Sequence, residues 1–168
     1  TSRGLGDVYK RQDEFRVFTI NNRDFPDPKR MNKYLHDNGF HSVYMIDPGV
    51  KVDDNYFVYK TGKEQNAFVC DIYRNEFHGK VWPGACAFPD FTRPETRTWW
   101  SGLYKDFMAN GIDGIWNDMN EPSVFDGPGG TMPENNIHLG GGNLPIGSHL
   151  MYHNAYGRLM VEASYNGM

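Results

Sequence analysis

Residues 116–122, Trp-Asn-Asp-Met-Asn-Glu-Pro, gather two carboxylates, two carboxamides and an indole within one short string. A carboxylate beside Trp and Met suits attack on a sugar. Glycosidic bonds break through an oxocarbenium-like transition state, which an ionised Asp stabilises or captures covalently. Asp118 is the candidate nucleophile, and Glu121, three residues on, either tunes it or holds its loop by a hydrogen bond. Trp116 and Trp82, the latter in "GKVWPG", offer flat faces of the kind that pack on the apolar C–H surface of a sugar. Plainer readings stand beside these. Asp-Met-Asn-Glu-Pro also reads as a turn whose Asp and Asn bond their own backbone, with Pro122 opening a helix. Both tryptophans also read as core, and Asp47, before Pro48-Gly49, as a turn residue. Composition alone does not separate these readings.

Two other strings carry residue types that could do chemistry. His149 and His153 stand four apart on a predicted helix, a spacing that can ligate zinc, but the Glu of the H-E-x-x-H pattern is missing and no third ligand stands out. "LGGGN" lacks the Lys-Ser/Thr ending of a phosphate loop and reads as flexible connection. No metal and no cofactor is expected.

The elements that must position Asp118 follow from periodicity and punctuation. "NNRDFPDPKRMNKYLHDNGF" predicts a helix with Met31, Tyr34 and Leu35 at helical spacing, closed by Asn38-Gly39. "HSVYMIDPG" predicts a buried strand delivering Asp47 to a turn. Residues 51–92 read as an irregular excursion with short alternating pieces. "RPETRTWWSGLYKDFMANG" predicts a second helix, with Pro94 in its first turn and Trp99, Leu103 and Phe107 recurring every fourth residue. The strand "IDGIW" follows, then a Gly- and Pro-rich loop, then a third helix capped by Ser148. Alternation of this kind indicates an α/β protein with parallel strands, whose carboxyl ends are where chemistry is placed.

Composition sets the outer limits. The chain has 168 residues, a net charge of -4 and 39% hydrophobic residues, with basic residues scattered rather than grouped. A nucleic-acid partner is therefore not expected, and no apolar run is long enough for a membrane span. An aromatic content of 15% with 19 Gly and 10 Pro suits a loop-rich protein that offers flat apolar surfaces to a ligand. Cys70 and Cys86 make no metal-ligand pair; a disulfide in an oxidising compartment is the alternative to the two free thiols that are expected. The N-terminus lacks an apolar signal core, which leaves the compartment open.

At "WNDMNEPSVF" the sequence resembles glycoside hydrolase family 31, the α-glucosidase family. The resemblance extends through "FPDPKRM", "MIDPGVKVD", "GKVWPGACAFPDFTRPETRTWW", "TMPENNIH" and "HNAYGRLM", over roughly residues 13–168. It implies part of a (β/α)8 TIM barrel, with "HSVYMID" as third strand, "GIDGIW" as fourth and residues 51–92 as the family's small insertion. It also implies a retaining enzyme whose nucleophile is Asp118. Trp82, Trp116 and Met119 match positions lining the pocket for the terminal sugar, and Met45 and Asp47 match strand-tip positions near it. "DMNEP" favours an α-glucosidase acting on oligosaccharides over family members with other versions of the motif. A transglucosidase of the same family and a non-catalytic carbohydrate-binding module are the alternatives.

Two departures bear on that expectation. The family's I-D-Y-M segment should precede "DEFRVFT", but Lys10 stands at its Asp position and Gln12 at its Met, so residues 1–12 are expected to be foreign. The family draws its proton donor from a later strand, and this chain stops before it. An internal fragment, about half a barrel and inactive alone, is the expectation.

Overall fold

The computed structural model describes residues 12–168, so most of the non-matching tail, Lys10 included, lies outside the described residues. A parallel pair of strands carries the functional edge. β1 (Val43–Ile46) and β5 (Gly114–Asn117) lie in register, Val43 opposite Gly114 and Ile46 opposite Asn117. Between them the chain crosses over through α3 (Pro94–Met108), as parallel pairing requires. α1 (Pro28–Asp37) precedes β1, and α4 (His149–Gly167) follows β5 after a long loop that holds the two-residue strands β6 (Ile137–His138) and β7 (Gly147–Ser148). The arrangement has the strand-helix alternation expected of part of a (β/α)8 barrel, and the sheet does not close on itself among the described residues.

Alternation along each strand gives the pair two unlike faces. Tyr44 and Ile46 point to the helices: the Tyr44 ring meets Phe107 of α3 edge-on at 5.8 Å, and Ile46 is wholly buried. Asn117 points the same way, its carboxamide oxygen accepting a hydrogen bond from Ser164 of α4 at 2.8 Å. Met45 and Trp116, opposite each other in the register, therefore share the other face, and that face leads toward Asp47 and Asp118.

The core lies on the helix side. Phe18 inserts between α3 side chains, with Trp100, Tyr104 and Phe107 edge-on to it at 5.0, 4.9 and 5.6 Å. The Ser101 hydroxyl donates to the Ala163 carbonyl at 2.7 Å and Tyr104 bonds Ser164 at 2.8 Å, which fixes α3 on α4. The buried stripe of α3 includes the predicted Trp99 and Phe107 but is centred on Trp100 and Tyr104, which are fully buried, while Leu103 is only partly so.

Three local expectations are corrected. Tyr34 of α1 is 68% exposed, and the residue that α1 buries is Asn32, whose amide donates to the Asn110 carbonyl at 2.8 Å. Ser148 sits at the start of α4 but its hydroxyl makes no capping bond. Residues 51–92 are not irregular. They form α2 (Phe57–Glu64) and, with Val50, a three-stranded antiparallel sheet in which β4 (Gly84–Ala87) lies between β2 (Val50–Lys51) and β3 (His78–Val81). Cys86 is buried in that sheet, Cys70 is partly buried nearby, and both are free thiols. Among the described residues, no helix is long and apolar enough to cross a membrane.

Candidate active site

β5 ends at Asn117, and the next residue is Asp118, whose backbone N–H still reaches across to the Ile46 carbonyl at 3.3 Å. The acid is thereby held at the carboxyl edge of the sheet by the last rung of the β1–β5 ladder. Met119 then turns the chain with φ 56°, a left-handed conformation uncommon outside glycine, so the motif carries a sharp bend directly after Asp118. Ser123 closes the bend, its N–H donating to the Met119 carbonyl at 3.0 Å.

The sequence-predicted residues separate into two groups here. Trp116 is 54% exposed on the face that carries Asp118, and Trp82 is 46% exposed at the tip of the β3–β4 hairpin. The hairpin is fastened to the motif loop by two backbone donors: Phe125 N–H to the Lys80 carbonyl at 2.8 Å, and Lys80 N–H to the Asp126 carboxylate at 2.8 Å. Trp82 consequently meets Phe125 edge-on at 5.0 Å. Phe125 is the residue that sequence reasoning missed. Its signal was an aromatic in the string that follows Asp118.

The remaining predicted residues are less open. Met45 is buried at 3% exposure, and its carbonyl accepts a hydrogen bond from the Gln12 side chain at 3.0 Å. Its side chain lies on the face that it shares with Trp116. Asp47 is 8% exposed, and its Oδ1 has no hydrogen-bond partner among the described residues. Burial and the neighbouring charges of Asp118 and Glu121 push its carboxyl up to about 7. Glu121 is exposed and accepts a hydrogen bond from the Ser123 hydroxyl at 2.7 Å within its own loop.

A family model for the TIM-barrel domain of glycosyl hydrolases family 31 matches residues 6–168. The chain belongs to this family. It is 43% identical over 154 residues to Alpha-glucosidase 2 of Bacillus thermoamyloliquefaciens, which covers 92% of the chain and 19% of that relative. Among solved structures it is 51% identical to a family 31 alpha-glucosidase from Bacteroides thetaiotaomicron, with a TM-score of 0.76, covering 95% of the chain and 24% of that protein. It is 37% identical to the glucosidase II alpha subunit in an alpha3-Glc2-bound form, with a TM-score of 0.86 over 95% of the chain and 17% of that subunit. The chain thus spans less than a quarter of each.

A second polar cluster lies away from the family's strand tips. Asp90 is wholly buried and bonds His138 Nδ1 at 2.9 Å; His138 Nε2 bonds His149 Nδ1 at 3.1 Å; His149 Nε2 bonds His153 Nδ1 at 3.2 Å. The two histidines that suggested zinc are thus partners of each other in a hydrogen-bonded chain. Among the described residues, no group of three or more acids, histidines or cysteines is placed to hold a metal ion.

Proposed function

We propose that the protein carrying this chain is a retaining α-glucosidase that removes terminal α-linked glucose from the non-reducing ends of oligosaccharides, with Asp118 as nucleophile. One observation carries the reading: a carboxylate stands at the tip of a parallel strand, with half-exposed Trp116 on its own strand and Trp82 fastened to its loop. The alpha-glucosidase names of the relatives, and the alpha3-Glc2 held by one of them, support glucose as the sugar.

In this reading the indoles present flat apolar walls to the sugar ring, and Asp118 meets the anomeric carbon as the bond to the leaving oxygen weakens. One Asp118 oxygen forms the new C1–O bond, and the leaving oxygen takes a proton from a second carboxyl about 5–5.5 Å from the nucleophile in retaining enzymes. Water, deprotonated by that second carboxyl, then attacks C1 and releases Asp118. The family resemblance assigns the second carboxyl to a later strand.

The test is covalent trapping in the full-length protein. A 5-fluoro-glucosyl fluoride should leave one glycosyl adduct, located by peptide mass spectrometry on Asp118, and Asp118→Asn should lower turnover of an aryl α-glucoside by several orders of magnitude. An adduct on another residue, or an active Asp118→Asn enzyme, would overturn the assignment.

A further inference from the structure

Asp47 is a buried acid that the proposed reaction does not yet use. The strand register sets Ile46 opposite Asn117, so Asp47 leaves β1 just where Asp118 leaves β5, and the Asp118 N–H bond to Ile46 ties the two tips together. Asp47 is buried, and among the described residues its Oδ1 has no hydrogen-bond partner. An unpartnered charged carboxylate in that position would be costly. The groups acting on it are Asp118 and Glu121 from the motif loop, both negative, and the Cys86 thiol of β4 behind it, whose own proton is held by burial. Asp47 and Asp118 leave paired strands at one register position, and although no hydrogen bond joins their side chains in this structure, two acids so placed can relieve the arrangement by sharing a proton, as close carboxylate pairs do.

We propose that Asp47 is a positioning residue that keeps its proton and donates it as a hydrogen bond to the Asp118 carboxylate, fixing which oxygen of Asp118 faces the sugar. This role rests on the reading of Asp118 as nucleophile. It differs from that of the general acid. A general acid must touch the leaving oxygen, whereas Asp47 is sunk beneath the strand tips with one oxygen inaccessible. A donor there restrains the nucleophile's geometry, where small misplacements cost large factors in rate.

The Asp47→Asn and Asp47→Ala variants of the full-length protein separate these roles, with the rate of Asp118 labelling by 5-fluoro-glucosyl fluoride as readout. Fluoride leaves with little need of a proton donor, so the assay reports the nucleophile and its supports. Wild type should label with a step near the Asp47 midpoint, about pH 7, above which the donor is lost and the two carboxylates repel. Asp47→Asn keeps an N–H donor without a titrating proton, so it should label within about threefold of wild type and lack the step, while Asp47→Ala should be slower by about tenfold or more at every pH. Circular dichroism and thermal unfolding of both variants confirm that each is folded.

An Asn variant as slow as Ala, or one that retains the pH step, overturns the positioning role while an Asp118 adduct still upholds the nucleophile. If both variants label at the wild-type rate yet fail on an unactivated maltoside, Asp47 is the acid and the positioning role is equally overturned. A wild-type protein that forms no adduct on Asp118 sinks both readings at once.

Discussion

Two glycines decide how closely the scaffold can approach the loop that follows Asp118. Gly79 of β3 lies so near Val124 that an added Cβ would stand 2.5 Å from the valine Cγ1. Val124 is 1% exposed and β-branched, so it has neither space nor a second easy rotamer in which to yield. Gly79→Ala should therefore cost about 1–3 kcal/mol and push the hairpin outward, carrying Trp82 away from Phe125 and raising KM. Thermal unfolding and steady-state kinetics of the full-length variant check both effects, and adding Val124→Ala should restore much of each. Gly157 of α4 differs in kind: its Cβ would meet the Asn120 carbonyl oxygen at 2.9 Å, a backbone atom that no side-chain truncation removes. The contrast makes the compensated Gly79 variant a specific test of side-chain crowding.

At the scale of elements, the Asp90–His138–His149–His153 chain joins the loop before α3 to β6 and to the first turns of α4. Burial and the adjoining imidazoles hold His149 down to about 3, below the ordinary histidine value of 6.5. Asp90 is held below the usual carboxylate range by hydrogen bonds from His138, Thr92 and the Leu139 N–H, which outweigh its burial. Both shifts have the same consequence. The unfolded chain takes up a proton at His149 as pH falls below about 6.5 while the folded one does not, and Asp90 adds the same penalty lower in the acid range. The contribution of this chain of groups should thus be full above about pH 6.5 and decline toward pH 3, by about 1.4 kcal/mol per pH unit for each proton taken up only on unfolding, while Asp47, protonated in the folded chain below about 7, contributes in the opposite sense. The difference in stability between the parent and His149→Gln, followed by denaturant melts between these limits, should show that slope. None of this was legible in the sequence, because its partners lie 48 and 11 residues apart and only the 149–153 pair had a recognisable spacing. What was legible had local signals: Pro94 at the start of α3, Gly39 and Gly111 with positive φ after α1 and α3, and apolar runs before Asp47 and Asp118. α2 escaped notice because it has eight residues and no capping side chain, and Phe125 because its meaning depends on a hairpin tip 43 positions away.

At the scale of the whole molecule, the face bearing Asp118 is finished on one side only. Val43 is 44% and Trp116 54% exposed on the inward face of β1 and β5, and among the described residues each of these strands pairs only with the other. Parallel sheets are stable with both faces covered, and unpaired edges invite pairing with another chain. In the longer relatives, of which this chain matches 19% and 16% in two cases, further chain is available to cover such a face. The 168 residues expressed alone should consequently show two linked defects: no turnover of an aryl α-glucoside, and concentration-dependent association through the exposed strand edges. Light scattering over a dilution series measures the second, and Val43→Lys should weaken it by placing a charge on the bare face without touching Asp118. If the isolated chain proved monodisperse and turned over substrate, the proton donor and the covering layer would both have to come from residues already described, and the assignment of Asp47 would be the first to need revision.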